Sequence, residues 1–331
     1  MANGQRVGVI TNDQGRYLVD TAFFRLSELP AVEVSGGCFC CQYDDLEHRL
    51  DELLDVAHPD VIFAESVGTC ADLVATVVKP LSRLKGGSFA PASFSLFTDS
   101  RLLYRRLSGD DLPFSEEVVY LFDQQIEEGG LLVVNKIDLL DTPTIDHLTK
   151  LVMAAYPGKP FLLQSSTSVE AVAPWVDHIQ AGKVGLPQKS LDIDYERYTR
   201  GETRLAWLDQ RLVLHVAPGA GRNVLIQVLK HLQGELSERK FGIGHIKVFL
   251  ECKGAPVKIS IPTLEETGWE ETVPFLAEGD IPLIINMRAE IDSSNLRECL
   301  ASAVVQAGVE VLWLEGEVFH PRPPHPVYRL P

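Results

Sequence analysis

The chain has 331 residues, with 30 Lys plus Arg against 46 Asp plus Glu, a formal net charge of −16, 45% hydrophobic and 23% charged residues. This size suits two domains, and the composition excludes a mainly disordered or collagen-like protein. The acidic balance and the lack of a basic run exclude a sequence-independent grip on nucleic acid, and no apolar run approaches the roughly eighteen residues a membrane span requires.

The opening MANGQRVGVITND has neither the basic start nor the apolar stretch of a signal peptide, so a cytoplasmic protein is expected. Met1 to Gly4 read as the end of a helix terminated by glycine, leading into a strand over Arg6 to Thr11. Asn12, Asp13 and Asp20 lie in TNDQGRYLVD, which reads as a loop, either a nucleotide switch or plain solvated residues. Short β-branched runs then alternate with amphipathic segments, the pattern of a parallel sheet covered by helices. Strands are expected at Val32 to Val34, Val61 to Ala64, Ser93 to Thr98, Leu131 to Asn135 and Phe161 to Gln164. The segment DDLEHRLDELLDVAH predicts a helix with Asp44 and Asp45 as caps and Leu46, Leu50, Leu53 and Leu54 on one face. Further helices are predicted at Ala71 to Val78, Glu116 to Glu128, Pro143 to Ala155 and Val169 to Gln180.

Periodicity fades after residue 182, and AGKVGLPQKSLDIDYERYTRG reads as a linker over 183–200. A second domain over 201–320 follows: a strand in LAWLDQRLVLHVA, a helix from Asn223 to Arg239, strands in HIKVFLEC, PVKISIPT and PLIINMRAE, a helix from Asn295 to Ala307, and a last strand VEVLWLEG. That order predicts an α+β split βαβ fold with an insertion. The tail 321–331, within HPRPPHPVYRLP, is expected to be extended and exposed, with His320 and His325 solvated rather than handing over metal, the alternative reading of the pair.

Three of the six cysteines, Cys38, Cys40 and Cys41, fall in SGGCFCC. Such spacing suits a soft metal such as Zn2+ or Cu+ rather than a disulfide framework, and Gly36 and Gly37 permit the tight turn that would aim three thiolates at one ion. The fourth ligand is left open among water, a substrate group, Cys70 and Glu65. Glu65 ends the strand VIFA, with Gly68 three residues on, and a carboxylate there suits either a Mg2+-bound water or a helix start. Asn135, Lys136 and Asp138 form NKID directly after an apolar strand, where α/β folds place ligands. In a guanine site the Asp138 carboxylate accepts from the N1 and N2 donors, a pair that adenine lacks. Ser165 and Ser166, in QSSTSV, follow the next strand and are placed to offer backbone N–H groups to the guanine carbonyl, with Thr167 or Ser168 as a helix cap.

The order NDQG, SGGCFCC, ESVG, NKID and QSS, with a smaller domain after a linker, resembles the CobW family of P-loop GTPases, relatives of the urease and hydrogenase nickel-insertion GTPases. The resemblance implies a P-loop NTPase-like, mostly parallel α/β domain over 1–182. It implies GTP, Mg2+ and Zn2+ or another transition metal as cofactors, and a client protein, with a homo-oligomer as a further partner. Under it, Cys38, Cys40 and Cys41 hold the metal, Asn135, Lys136 and Asp138 read guanine, and Glu65 to Gly68 face the nucleotide magnesium, Glu65 in the catalytic role. One part of the family pattern is absent from these 331 residues: no GxxxxGK[ST] string occurs. The nearest stretch, APGAGRNVL, has Val216 for the first Gly, Arg222 for Lys and Asn223 for Ser/Thr, and reads as a strand-to-helix turn. A strand, phosphate loop and helix, roughly 25 to 30 residues, are therefore expected to be missing from the front, leaving an unpaired apolar strand edge in the sheet and residues 1–331 without GTP hydrolysis. The rival expectation is a metal-binding adaptor that has lost nucleotide hydrolysis.

Overall fold

A computed structural model describes residues 4–84, 91–182, 186–277 and 279–331. The helix end read at Met1 to Asn3 and the first residues of the expected linker, 183–185, lie outside the described residues. The chain divides into two compact units, Met1–Gly68 with Thr199–His325, and Thr69–Tyr198 with Pro326–Pro331.

In the first unit, β1 (Val7–Asn12) lies between β2 (Ala31–Val34) and β3 (Val61–Glu65), parallel to both. Helix α1 (Val19–Leu26) connects β1 to β2, and α2 (Tyr43–Ala57) buries Tyr43, Leu46, Leu50 and Leu53. The N-cap of α2 is Gln42, so Asp44 and Asp45 lie in its first turn and act on the helix dipole rather than as caps. The rest of the unit is an antiparallel sheet ordered β11–β7–β10–β8–β9, with β7 (Leu205–His215), β8 (Ile243–Cys252), β9 (Ala255–Ile261), β10 (Asp280–Glu290) and β11 (Glu310–Phe319). Helices α9 (Gly221–Glu238) and α10 (Ser293–Gln306) connect β7 to β8 and β10 to β11. The order β11–β7–β10–β8 is that of a split βαβ sheet, and β9 is the inserted edge strand. Leu225, Leu229, Leu232 and Leu236 of α9 and Leu296, Leu300 and Ala303 of α10 recur at helical spacing and pack with Leu212, Leu214, Val248, Ile285 and Met287 of the sheet into one core. The turn before α9 holds the near-match APGAGRN, and a Cβ on Gly221 would meet Ile281 at 2.5 Å, so this turn packs tightly against its own sheet.

In the second unit, β5 (Leu131–Asn135) lies between β4 (Ser95–Asp99) and β6 (Phe161–Leu163), again all parallel. Four successive buried residues, Leu131 to Val134, face alternate sides of the sheet: Leu132 and Val134 meet Leu103, Ile126, Leu148 and Val152, while Leu131 and Val133 meet Leu162 and Trp175. That burial on both faces explains the unbroken apolar run. Leu103, Ile126, Leu148 and Val152 come from α4 (Ser100–Ser108), α5 (Glu116–Glu128) and α6 (Thr142–Ala155), and Trp175 from α7 (Val169–Gln180). The helix expected over Ala71 to Val78 is a π-helical turn, Val74–Val78, running into α3 (Lys79–Leu84).

Each parallel sheet ends in an edge strand with one partner among the described residues: β3 in the first, with Phe63 38% exposed, and β4 in the second, with Phe97 44% exposed.

Three expectations are corrected. Asn12, Asp13 and Asp20 are not solvated loop residues: Asn12 ends β1, Asp13 is buried, and Asp20 lies in α1, where Lys247 and Lys258 pair with it. The segment read as linker contains the start of α8 (Tyr195–Arg204), whose buried positions Tyr198, Gly201 and Glu202 have helical spacing but only one large apolar side chain. The tail is not simply exposed, because Pro321 and Pro324 are buried.

Candidate functional site

The thiol cluster grows out of the turn between β2 and α2. Gly36 adopts φ +76°, and a Cβ on Gly37 would stand 2.9 Å from Gln42 Cγ, so both glycines serve the turn, one by conformation and one by space. The N–H groups of Cys41 and Gln42 both donate to the Cys38 carbonyl, at 3.0 and 2.9 Å, closing the turn so that three side chains meet. Cys38 Sγ lies 2.9 Å from Cys40 Sγ and 3.3 Å from Cys41 Sγ, and the third separation is 3.7 Å. Cys38 and Cys40 are buried and Cys41 is half-buried. The hydrogen bond to Cys38, with burial, pushes the Cys41 thiol up to about 11. Three soft donors this close fit a tetrahedral Zn2+ or Cu+ with one position left over. Among the described residues no fourth His, Cys, Asp or Glu completes the group, Glu65 included. Cys70 is buried in the second unit, where its carbonyl accepts from Gln125 Nε2.

Asn12, which sequence reasoning treated as a loop residue, holds this turn in place. Its Nδ2 donates to the carbonyls of Val34 (3.0 Å) and Gly37 (2.7 Å), and its Oδ1 accepts from Phe39 N (2.9 Å) and Val67 N (3.4 Å). One buried carboxamide thus ties the end of β1 to the thiol turn and to the loop after β3. That loop carries Glu65, exposed at the end of β3, and Gly68, whose surroundings are open. A polar amide at the end of an apolar strand was the signal that the sequence offered for this role.

Around the same segment, Asp20 lies between Lys247 (2.5 Å) and Lys258, on neighbouring strands of the antiparallel sheet. Although burial opposes its ionisation, these two lysines hold the Asp20 carboxyl well below the usual carboxylate range. Gln14 Nε2 donates to Glu202 Oε1 (2.6 Å), which also accepts from Arg288 (3.1 Å), and the Arg288 guanidinium lies 4.3 Å over the Trp207 ring.

In the second unit the ends of three parallel strands converge. Ser166 Oγ donates to Asn135 Oδ1 (3.0 Å) and accepts from Gln164 Nε2 (3.0 Å), so the loop after β6 is bonded to NKID. Ile137 N donates to the Gln164 carbonyl (3.2 Å), and Ser100 Oγ to the Lys136 carbonyl (3.0 Å). Lys136 has φ +62°, an uncommon conformation for a residue other than glycine and one that clusters at functional loops. Its Nζ lies 3.3 Å from Asp99 Oδ2 at the end of β4. Burial disfavours the Asp99 carboxylate, but Arg101 and Lys136 outweigh it and hold the group below its usual range. Asp99 also caps α4, a role that an acidic residue after an apolar strand could have signalled. Asp138 is exposed, and no hydrogen bond within the described chain occupies its carboxylate. Ser165 Oγ shares a hydrogen bond with Thr167 (2.9 Å), and Ser168 is the helix cap, accepting from Ala171 N.

Compared with known proteins, residues 1–163 match a family described as "CobW/HypB/UreG, nucleotide-binding domain". A curated relative from Sinorhizobium sp, "Zinc chaperone CobW", is 25% identical over 199 residues, which cover 52% of this chain and 54% of the relative. The match therefore spans about half the relative's length. Among solved structures, a crystal structure of a Zn(II)-bound triple mutant of the YjiA GTPase aligns with 92% of this chain and 91% of its own, at 11% identity and a TM-score of 0.36. Among the described residues no helix is long and apolar enough to cross a membrane.

Proposed function

Since residues 1–163 belong to the CobW/HypB/UreG nucleotide-binding domain family, we propose that this chain is a metal chaperone or insertase of the GTP-dependent CobW type, working in the cytoplasm. It binds zinc or a related metal through Cys38, Cys40 and Cys41 and passes it to a client protein. Guanine is read by Asn135, Lys136 and Asp138, with Ser165, Ser166 and Gly68 beside the nucleotide and Glu65 serving its Mg2+. The observation that carries the reading is the thiol cluster, three Sγ atoms gathered on one glycine-flanked turn.

Elemental analysis of reduced protein should find about one Zn2+ or Cu+ per chain, the stoichiometry of a three-thiolate site. Substituting all three cysteines with Ser should abolish it, and unchanged stoichiometry in that variant would overturn the assignment.

A second reading is the non-catalytic metal-binding adaptor that has lost nucleotide hydrolysis; an in-frame GxxxxGK[ST] string in the coding sequence before Met1 would overturn it, and a stop codon close upstream would support it. Phosphoryl transfer depends on positioning and charge stabilisation, which that loop supplies. On either reading residues 1–331 should release no phosphate from GTP or ATP, and robust turnover would refute this part of the proposal.

A further inference from the structure

The C-terminal tail meets the thiol cluster: the backbone N–H of His325 donates to Cys41 Sγ at 3.2 Å. The chain upstream is held to the same unit. His320 donates from Nδ1 to the Thr203 carbonyl (2.8 Å) and accepts at Nε2 from Ser293 N (3.2 Å), so both of its ring nitrogens are taken. Pro321 and Pro324 are buried, while the His325 side chain is exposed and its imidazole makes no hydrogen bond within the described chain. Proline on either side of His325 restricts its backbone before any metal binds, so little freedom is lost when the tail is held.

These observations complement what the cluster lacks, one ligand for a tetrahedral ion. We propose that His325 is the fourth ligand, completing a Cys3His site, and that the tail closes over the metal as a strap. The inference rests on the metal reading of the thiol cluster. As the structure stands the imidazole lies outside the group of thiols, so binding requires a change of rotamer. Because Cys41 Sγ lies 3.2 Å from His325 N, an ion about 2.3 Å from that sulfur stands at most about 5.5 Å from the backbone nitrogen, and an imidazole nitrogen must come within about 2.1 Å of the ion. The backbone N–H on Cys41 remains in place as the hydrogen bond that orients a ligating thiolate. Release of the metal to an acceptor then requires the tail to let go, which gives the strap a part in delivery. The other tail histidine has no lone pair to spare, which selects His325 over His320.

The test uses the full 331-residue chain, with Co2+ as an optical probe and X-ray absorption of the Zn2+ form. The intact chain should show the intense visible bands of tetrahedral Co2+ and the outer-shell scattering of one imidazole. His325→Ala, a change at an exposed side chain, should lose the imidazole scattering and weaken binding at least about tenfold. Added free imidazole should restore the spectrum. If His325→Ala leaves affinity and spectra unchanged, while the Cys-to-Ser triple variant abolishes binding, the strap is refuted and the thiol site stands. If the triple variant itself binds as before, the thiol reading fails and this inference with it.

Discussion

Gly15 lies so close to Asp209 that a Cβ added to it would stand 1.3 Å from Asp209 Oδ2. Asp209 sits on β7 opposite Asn286 of β10, and Asn286 Nδ2 donates both to Asp209 Oδ1 (2.8 Å) and to the Tyr17 carbonyl (2.6 Å), while its Oδ1 accepts from Val19 N. The NDQG segment is therefore clasped to the antiparallel sheet at a point where only glycine has room. Gly15→Ala should destabilise the protein by about 1–3 kcal/mol through overpacking. Asp209→Ala in the same chain should recover part of that loss, because the clash needs both side chains. Urea unfolding of the two single variants and the double variant checks this, and simple additivity would contradict it.

The same contact governs a pH response. Burial, helped by the charges of Asp13 and Glu317, pushes Asp209 up to about 8, and burial pushes Asp13 up to about 6. Both carboxyls keep their protons in the fold at pH values where the unfolded chain, titrating near 3.8, has released them. Stability from these groups is thus complete below about pH 4 and lost as pH rises through 6 and 8. Each group contributes at most about 1.4 kcal/mol per pH unit while its protonation differs between the states. Asp20 acts in the opposite direction, but only below the unfolded carboxylate range, outside this window. Urea midpoints should fall from pH 5 to pH 8, and Asp209→Asn should reduce the fall. A flat or rising profile in the unmodified protein would count against buried, protonated carboxyls here.

Asn12 offers a test of how the thiol turn is held. Asn12→Ala strands the carbonyls of Val34 and Gly37 and the N–H of Phe39, costing about 2–3 kcal/mol. Zinc affinity, measured by competition with a chromophoric chelator, should drop about 10–100-fold, as for other supports of metal ligands. Asn12→Asp keeps the acceptor and loses the donor, so it should fall between. A folded Asn12→Ala protein with full affinity would show that the turn needs no clamp.

Asp138 is the guanine test. Its carboxylate is exposed at the end of the loop that Ser166, Gln164 and Ser100 brace, and no partner within the described chain competes for it. Asp138→Asn should cut the preference for guanosine over adenosine nucleotides about tenfold or more, the worth of a carboxylate that accepts two hydrogen bonds. Fluorescent GDP and ADP analogues titrated side by side would measure it. Equal preference in both proteins would remove Asp138 from the guanine reading.

What local sequence determined were elements whose burial is plainly periodic or continuous, such as α2 and β5, whereas α1 and α4 were not read as helices. The run Leu131 to Val134 reads as a strand because both faces of β5 are covered, and the leucines of α2 read as a helix because one face is. The cysteine cluster was visible for a related reason: Cys38, Cys40 and Cys41 are neighbours in the chain, so a tight turn is enough to join them. What only the tertiary structure decided were relationships between residues far apart in sequence. Asn12 reaches across β2 to Gly37 and Phe39, Asp20 meets Lys247 and Lys258, Gly15 meets Asp209, and His325 meets Cys41. Polar side chains of this kind carry no periodicity. In sequence they look the same whether water or a buried partner satisfies them, and their partners exist only once the sheets have formed.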